Sequence, residues 1–152
     1  MNRYKKAFEV RWADLDPNRH LRHTAFNDYA TQVRFRFLLE NGFGPAEFSK
    51  YNCGPVMFRE EALFFKEVEM NETITIDFHL AGMSEKGKRW KIIHNVFKEE
   101  GAKAALITVE GAWFDLSKRR LMDPPDKIVE IFHKLERTGD YQVIETNNDQ
   151  PG

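Results

Sequence analysis

Asp14-Leu15-Asp16-Pro17-Asn18-Arg19-His20-Leu21-Arg22-His23 places two carboxylates and two imidazoles within ten residues. A carboxylate can take a proton from water, and an imidazole can orient that water or protonate a leaving group. The stretch separates a short alternating segment from a long amphipathic one, so it reads as a strand-to-helix turn. A helix start offers N–H groups with no intrahelical acceptor and the positive end of a dipole. A general base beside such donors suits a hydrolytic step in which negative charge builds on oxygen. The same spacing also suits an Asx-turn or a capping aspartate, so Asp16 keeps both readings on spacing alone. Asp14 reads better as a residue that fixes the loop. His20 and His23 each read either as backbone-bonded loop residues or as site residues.

Two metal readings fail. Asp14, Asp16 and Asn18 match the start of a calcium loop, but Arg19 replaces its glycine and Ala25 its closing glutamate. His79 and His94 fall on strand-like segments with no clustered Asp, Glu or His, so a transition-metal site is not expected.

The elements that would position these residues follow from periodicity. Phe8, Val10 and Trp12 alternate with Glu9 and Arg11 as a short strand. A helix of about five turns runs roughly from Thr24 to Asn41. Its stripe is Phe26, Tyr29, Ala30, Val33 and Phe37, with Thr24 as N-cap, Asp28 in the first turn and Gly42 as the stop. Phe35 and Leu39 widen the apolar surface, which suits a helix wrapped by a sheet. The period then changes to two. Strands are expected over Val56–Val68, around Ile74–Leu80, around Trp90–Val96, and over Ala105–Leu116. Their short connections imply an antiparallel meander. Asp123-Pro124-Pro125 starts a second helix, with Asp123 as cap and Pro124 in first position. Residues 1–136 form one domain, and 137–152 read as a polar, partly disordered tail. The class is α+β: one antiparallel sheet with a central helix on one face. The open edges of such a sheet predict an oligomer, a homodimer or a dimer-of-dimers tetramer.

Composition narrows the partners. Lys and Arg number 23 against 24 Asp and Glu, a net charge of -1, so no global field draws in nucleic acid or an anionic membrane. No run approaches the length of a membrane span. The N-terminus shows no signal-peptide pattern, and the one cysteine, Cys53, fits a reducing compartment, so a cytoplasmic setting is expected.

With these elements in order, the chain resembles the hotdog-fold acyl-CoA thioesterases of the 4-hydroxybenzoyl-CoA thioesterase type. The resemblance rests on Trp12, Asp14, Asp16, Pro17, His20 and Phe26, and later on Gly82-Met83-Ser84 and Trp113-Phe114-Asp115-Leu116. It covers about residues 7 to 135. Arg19 stands where many members have Gly, and Arg22-His23 replaces an Asn-Asn pair of one branch. The resemblance implies hydrolysis of an acyl-CoA thioester, with Asp16 as general base or nucleophile. A backbone N–H near His23, at the helix start, would polarise the carbonyl. His23 and His20 would assist, and no cofactor is implied beyond the coenzyme A of the substrate. Phe26, Ser84, Lys88 and Arg89 are the substrate-binding candidates, the basic turn offering contact to phosphates. Lys118-Arg119-Arg120 is a second such turn. Phe58, Phe64, Phe65 and Phe78 are candidates for an acyl tunnel. Two alternatives use the same fold. One is an enoyl-thioester hydratase, whose Asp-x-Asn-Pro-x-His motif differs here by Asp16 for Asn and a histidine one residue late. The other is a non-catalytic acyl-CoA-binding domain.

Overall fold

A computed structural model describes residues 3–145. The elements are β1 (Tyr4–Glu9), a 3-10 turn (Trp12–Asp14), α1 (His23–Glu40), α2 (Pro45–Tyr51), β2 (Cys53–Phe64), β3 (Thr73–Ser84), β4 (Arg89–Phe97), β5 (Lys103–Asp115), β6 (Arg120–Leu121), α3 (Asp126–Phe132) and β7 (Arg137–Ile144). The sheet runs β1-β3-β4-β5-β2, with β6 on β5 and β7 on β3. It holds α1 against one face through Phe26, Ala30, Val33 and Phe37, all buried. Phe37 meets Phe78 of β3 edge-on at 5.3 Å and Tyr4 of β1 at 5.0 Å. Buried aromatic and branched residues thus clamp the helix inside the sheet, which is the hotdog arrangement.

Several expectations are corrected. The β3-β4-β5 meander is present, but β2 pairs with β5 rather than β3. Residues 65–72 make the crossing, and Val68 in that link is buried, its carbonyl accepting Leu21 N–H at 2.7 Å. The link therefore covers the start of α1. The first strand ends at Glu9. Val10 is buried but Trp12 is 78% exposed, because the chain curls so that Arg11 can reach Asp14 three residues on. Thr24 does not cap α1. Arg22, pinned by its N–H to the Asp14 carbonyl at 2.8 Å, is the extended cap residue, and the helix starts one residue early. Asp28 then falls outside the first turn. Helix α3 begins at Asp126, with Pro125 as its cap residue. A residue followed by proline is kept out of helical geometry, and this holds for both Asp123 and Pro124. The tail boundary is also corrected. Residues 137–144 form β7, parallel to the second half of β3 and beyond the end of β1 on the same edge. The remainder of the expected tail, 146–152, lies outside the described residues. Helix α2 was not expected. Pro45 opens it, and Glu47 returns its carboxylate to the Gly44 N–H at 2.8 Å.

Among the described residues, no helix is long and apolar enough to cross a membrane. None of their His, Cys, Asp and Glu side chains gather in threes as a metal site would require.

Candidate active site

The chain between β1 and α1 is a closed loop. Leu15 bridges Leu21, Asp16 N–H donates to the His20 carbonyl at 2.8 Å, and Arg19 N–H donates to the Asp16 carbonyl at 2.9 Å. Arg19 makes the turn at φ 66, the left-handed region where glycine is at ease. Its side chain is exposed, so it does not fill the loop.

Asp14 anchors that loop from below. It is buried, and it accepts Arg11 Nε and Nη2 at 2.9 Å each, Arg22 Nη1 at 3.1 Å and the Tyr29 hydroxyl at 2.6 Å. Hydrogen bonds from Arg11, then from Tyr29 and Arg22, hold its carboxyl well below the usual carboxylate range despite its burial. By its spacing Tyr29 belongs to the apolar stripe of α1. Nothing in its spacing separated a core aromatic from one whose hydroxyl reaches a buried carboxylate.

Asp16 is half-buried and divides its two oxygens. Oδ1 accepts the N–H of Asn18 at 2.8 Å and of His20 at 3.1 Å, an Asx-turn. Oδ2 has no hydrogen-bond partner among the described residues. The capping role and an active role are therefore compatible, one on each oxygen. His20 Nε2 lies 3.2 Å from a carboxylate oxygen of Glu67. His23 is exposed and is the first residue of α1. The N–H groups of His23 and Thr24 have no acceptor among the described residues. Asp16, His20, His23 and Phe26 together line a pocket of about 300 Å³. Its opposite wall is the end of β2 and the link beyond it, Phe64, Phe65, Lys66 and Glu67. Phe26 meets Phe64 edge-on at 5.2 Å.

The other three substrate-binding candidates lie elsewhere. Ser84 and Arg89 flank the β3–β4 turn, at the opposite end of β3 from the link that meets the Asp16 loop. Along a straight strand that is roughly 35–40 Å. The Ser84 hydroxyl accepts Arg89 N–H at 2.9 Å and closes the turn. The Arg89 guanidinium is buried over the Phe58 ring at 5.1 Å. Lys88 is half-buried, 4.0 Å from Asp123. Within one chain, Ser84, Lys88 and Arg89 are thus not brought to Asp16. Of the tunnel candidates, Phe64 and Phe65 line the Asp16 pocket and Phe78 lines a separate apolar cavity.

A curled antiparallel sheet gripping one long helix defines a hotdog protein. The chain belongs to the thioesterase-like superfamily, whose sequence pattern it matches over residues 10–132. No curated protein matches the sequence. Solved structures share the fold at low identity. A hypothetical protein from Staphylococcus aureus in complex with CoA is 18% identical, covers 90% of this chain and 87% of its own, and gives a TM-score of 0.82. A DHNA-CoA thioesterase from the same organism is 16% identical over 88% of this chain and 91% of its own, with a TM-score of 0.78. A 1,4-dihydroxy-2-naphthoyl-CoA thioesterase from Synechocystis is 12% identical over 88% and 98%, again with a TM-score of 0.78.

Proposed function

We propose that this protein hydrolyses an acyl-CoA thioester with Asp16 and the start of α1. The observation that carries this reading is the divided Asp16 carboxylate. One oxygen is tethered by two backbone N–H groups and the other is free, in a pocket that also holds the unpaired helix start. As a general base, Oδ2 takes a proton from water as the water oxygen attacks the carbonyl carbon; as a nucleophile, Oδ2 attacks that carbon itself and forms a mixed anhydride, which water then hydrolyses to the free acid and the Asp16 carboxylate. The carbonyl oxygen, now negative, is received by the N–H groups of His23 and Thr24. Collapse breaks the carbon–sulfur bond, and the CoA thiolate receives a proton that comes from water, through Asp16 on the general-base route and on cleavage of the anhydride on the nucleophilic one. A thioester is already activated, so a carboxylate and two donors are sufficient machinery. The His23 side chain, at the pocket mouth, orients water or protonates the departing sulfur. His20, beside Glu67, shapes the wall. Family membership and a structural neighbour in complex with CoA support the substrate class.

A second copy of the chain completes the site. Strand β2 is the last strand of the sheet path, and Met57, Leu63 and Phe64 on it are exposed. Antiparallel pairing of two β2 strands about a two-fold would bring the Phe64 end of one copy to the Cys53 end of the other. The Phe64 end carries Asp16, and the Cys53 end carries Lys88 and the Lys118–Arg120 turn, since Cys53 pairs with Asp115 and Trp113 N–H bonds the Lys88 carbonyl. Each acyl site would then face the partner's cations, which suit the phosphates of CoA. Buried Cys53 fits a reducing, cytoplasmic setting.

Free-thiol release from a panel of acyl-CoAs, acetyl to palmitoyl plus benzoyl and phenylacetyl, tests the reading. Turnover with one acyl class is the expected result. No release from any of them would overturn acyl-CoA hydrolysis.

A further inference from the structure

The chain holds a second and more apolar cavity, of about 340 Å³, along the later half of α1. Thr31 and Arg34 of α1, Met57 of β2, Phe78 of β3 and the indoles of Trp90 and Trp113 are among its walls. Arg34 is the one ionisable side chain lining it among the described residues.

Arg34 is held in an unusual way. Its Nη2 donates to Thr31 Oγ1 at 2.9 Å, and its Nη1 lies 3.2 Å from His94 Nε2. His94 is fully buried on β4, with Nδ1 2.7 Å from the Asp77 carbonyl. A carbonyl can only accept, so Nδ1 carries the proton and Nε2 accepts from Arg34. Burial, reinforced by the Arg34 charge, pushes the His94 pKa down to about 3, which keeps the ring neutral. A neutral ring orients the guanidinium without returning any negative charge. Glu60 acts on Arg34 through space, yet the two form no ion pair among the described residues. A cation thus lies half-buried in an apolar wall with a hydrogen-bond acceptor behind it and with its opposite charge, Glu60, acting only through space. Such a charge is costly unless an anion joins it.

We propose that this cavity binds an apolar molecule ending in a carboxylate, with its chain against Trp90 and Trp113 and its carboxylate on Arg34. The volume is at the small end of about 300–1,000 Å³ for ligand pockets, which suits a medium-length chain or a single ring system. Two sources share this chemistry. One is a free apolar acid. The other is an acyl-CoA whose acyl chain ends in its own remote carboxylate, and this second source rests on the hydrolase reading. The first does not.

Calorimetric titration separates the cases. Octanoate and octanamide differ in charge and little in shape. Octanoate should bind the wild-type protein roughly tenfold to a hundredfold more tightly, as a charge-assisted contact predicts. Asp16→Asn should keep that preference, which places it outside the hydrolytic site. Arg34→Gln should abolish it, and Arg34→Lys, which keeps the charge but loses the forked geometry, should restore part of it. For the acyl-CoA source, suberyl-CoA and octanoyl-CoA are compared by binding to Asp16→Asn protein, so that no turnover is needed. A preference for suberyl-CoA that disappears in the Asp16→Asn, Arg34→Gln double variant supports that source. The proposal is overturned if neither carboxylate is preferred over its uncharged counterpart. It is also overturned if each preference survives the loss of Arg34. Failure of hydrolysis with octanoate binding intact would instead refute the proposed enzyme and leave this site standing.

Discussion

Asp14 and Asp16 are two residues apart and do different work because their surroundings differ. Asp14 is saturated by two guanidinium groups and a phenol, whereas Asp16 keeps one oxygen free. Depression of the Asp14 pKa has a definite consequence for stability. The unfolded carboxyl titrates at its ordinary value of 3.8 and the folded one lower, so on acidification the unfolded chain binds the proton first. This contribution is complete above about pH 4 and is lost as pH falls below it. His94 acts with the same sign over a higher window. Its ordinary value is 6.5 and its folded value about 3, so stability declines as pH falls from 6.5 toward 3. Urea midpoints measured against pH should therefore fall in two stages. His94→Gln should flatten the upper stage and Asp14→Asn the lower, and an unchanged slope in either variant would contradict its assignment. Arg19 offers a separate test. A non-glycine residue at φ 66 is strained, so Arg19→Gly should raise stability by about 0.5–1 kcal/mol in chemical denaturation.

Elements decide which of these residues meet. The β2–β5 pair approaches so closely at Gly111 that a Cβ there would stand 2.1 Å from the Val56 carbonyl oxygen and 2.6 Å from the Trp90 ring. Gly111→Ala should therefore cost at least about 1–3 kcal/mol, read as a lowered melting temperature. How much was legible in the sequence divides along the same line. Period-two runs gave the four long strands, and the 3.6 period gave α1, because each element buries one continuous face. The Asp14–His23 loop was legible as a chemical segment because its residue types are concentrated in ten positions. What was hidden depended on partners distant in sequence. The order of β2 and β5, the β7 strand and the Arg34–His94 contact have no local signature. Helix boundaries moved by one or two residues where a loop contact or a second proline overrode the cap residue. Tyr29 was visible as an aromatic and invisible as a hydrogen-bond donor.

At the scale of the whole molecule, the separation of Asp16 from Lys88 is the feature that asks for a second copy. A sheet edge with exposed Met57, Leu63 and Phe64 is a natural pairing surface. Sedimentation should show a dimer or a multiple of it. Lys88→Ala should raise KM for CoA thioesters several-fold and leave kcat nearly unchanged, because a phosphate contact remote from the carbonyl binds ground and transition states alike. Mixing Lys88→Ala with Asp16→Asn protein should restore one undamaged site per mixed dimer, recovering low-substrate activity that neither variant shows alone. Absence of recovery, with subunit exchange verified, would place Lys88 and Asp16 in no shared site.

The most direct test of the central claim is thiol release by Asp16→Asn protein on whichever acyl-CoA the wild-type chain turns over best, with CoA affinity measured in parallel. Asparagine preserves the shape and the Oδ1 contacts but cannot accept a proton as the carboxylate does. The account predicts a loss of at least about a hundredfold in kcat with CoA binding unchanged. Activity within a few-fold of wild type would contradict it and reduce Asp16 to the turn residue that its Oδ1 contacts also describe.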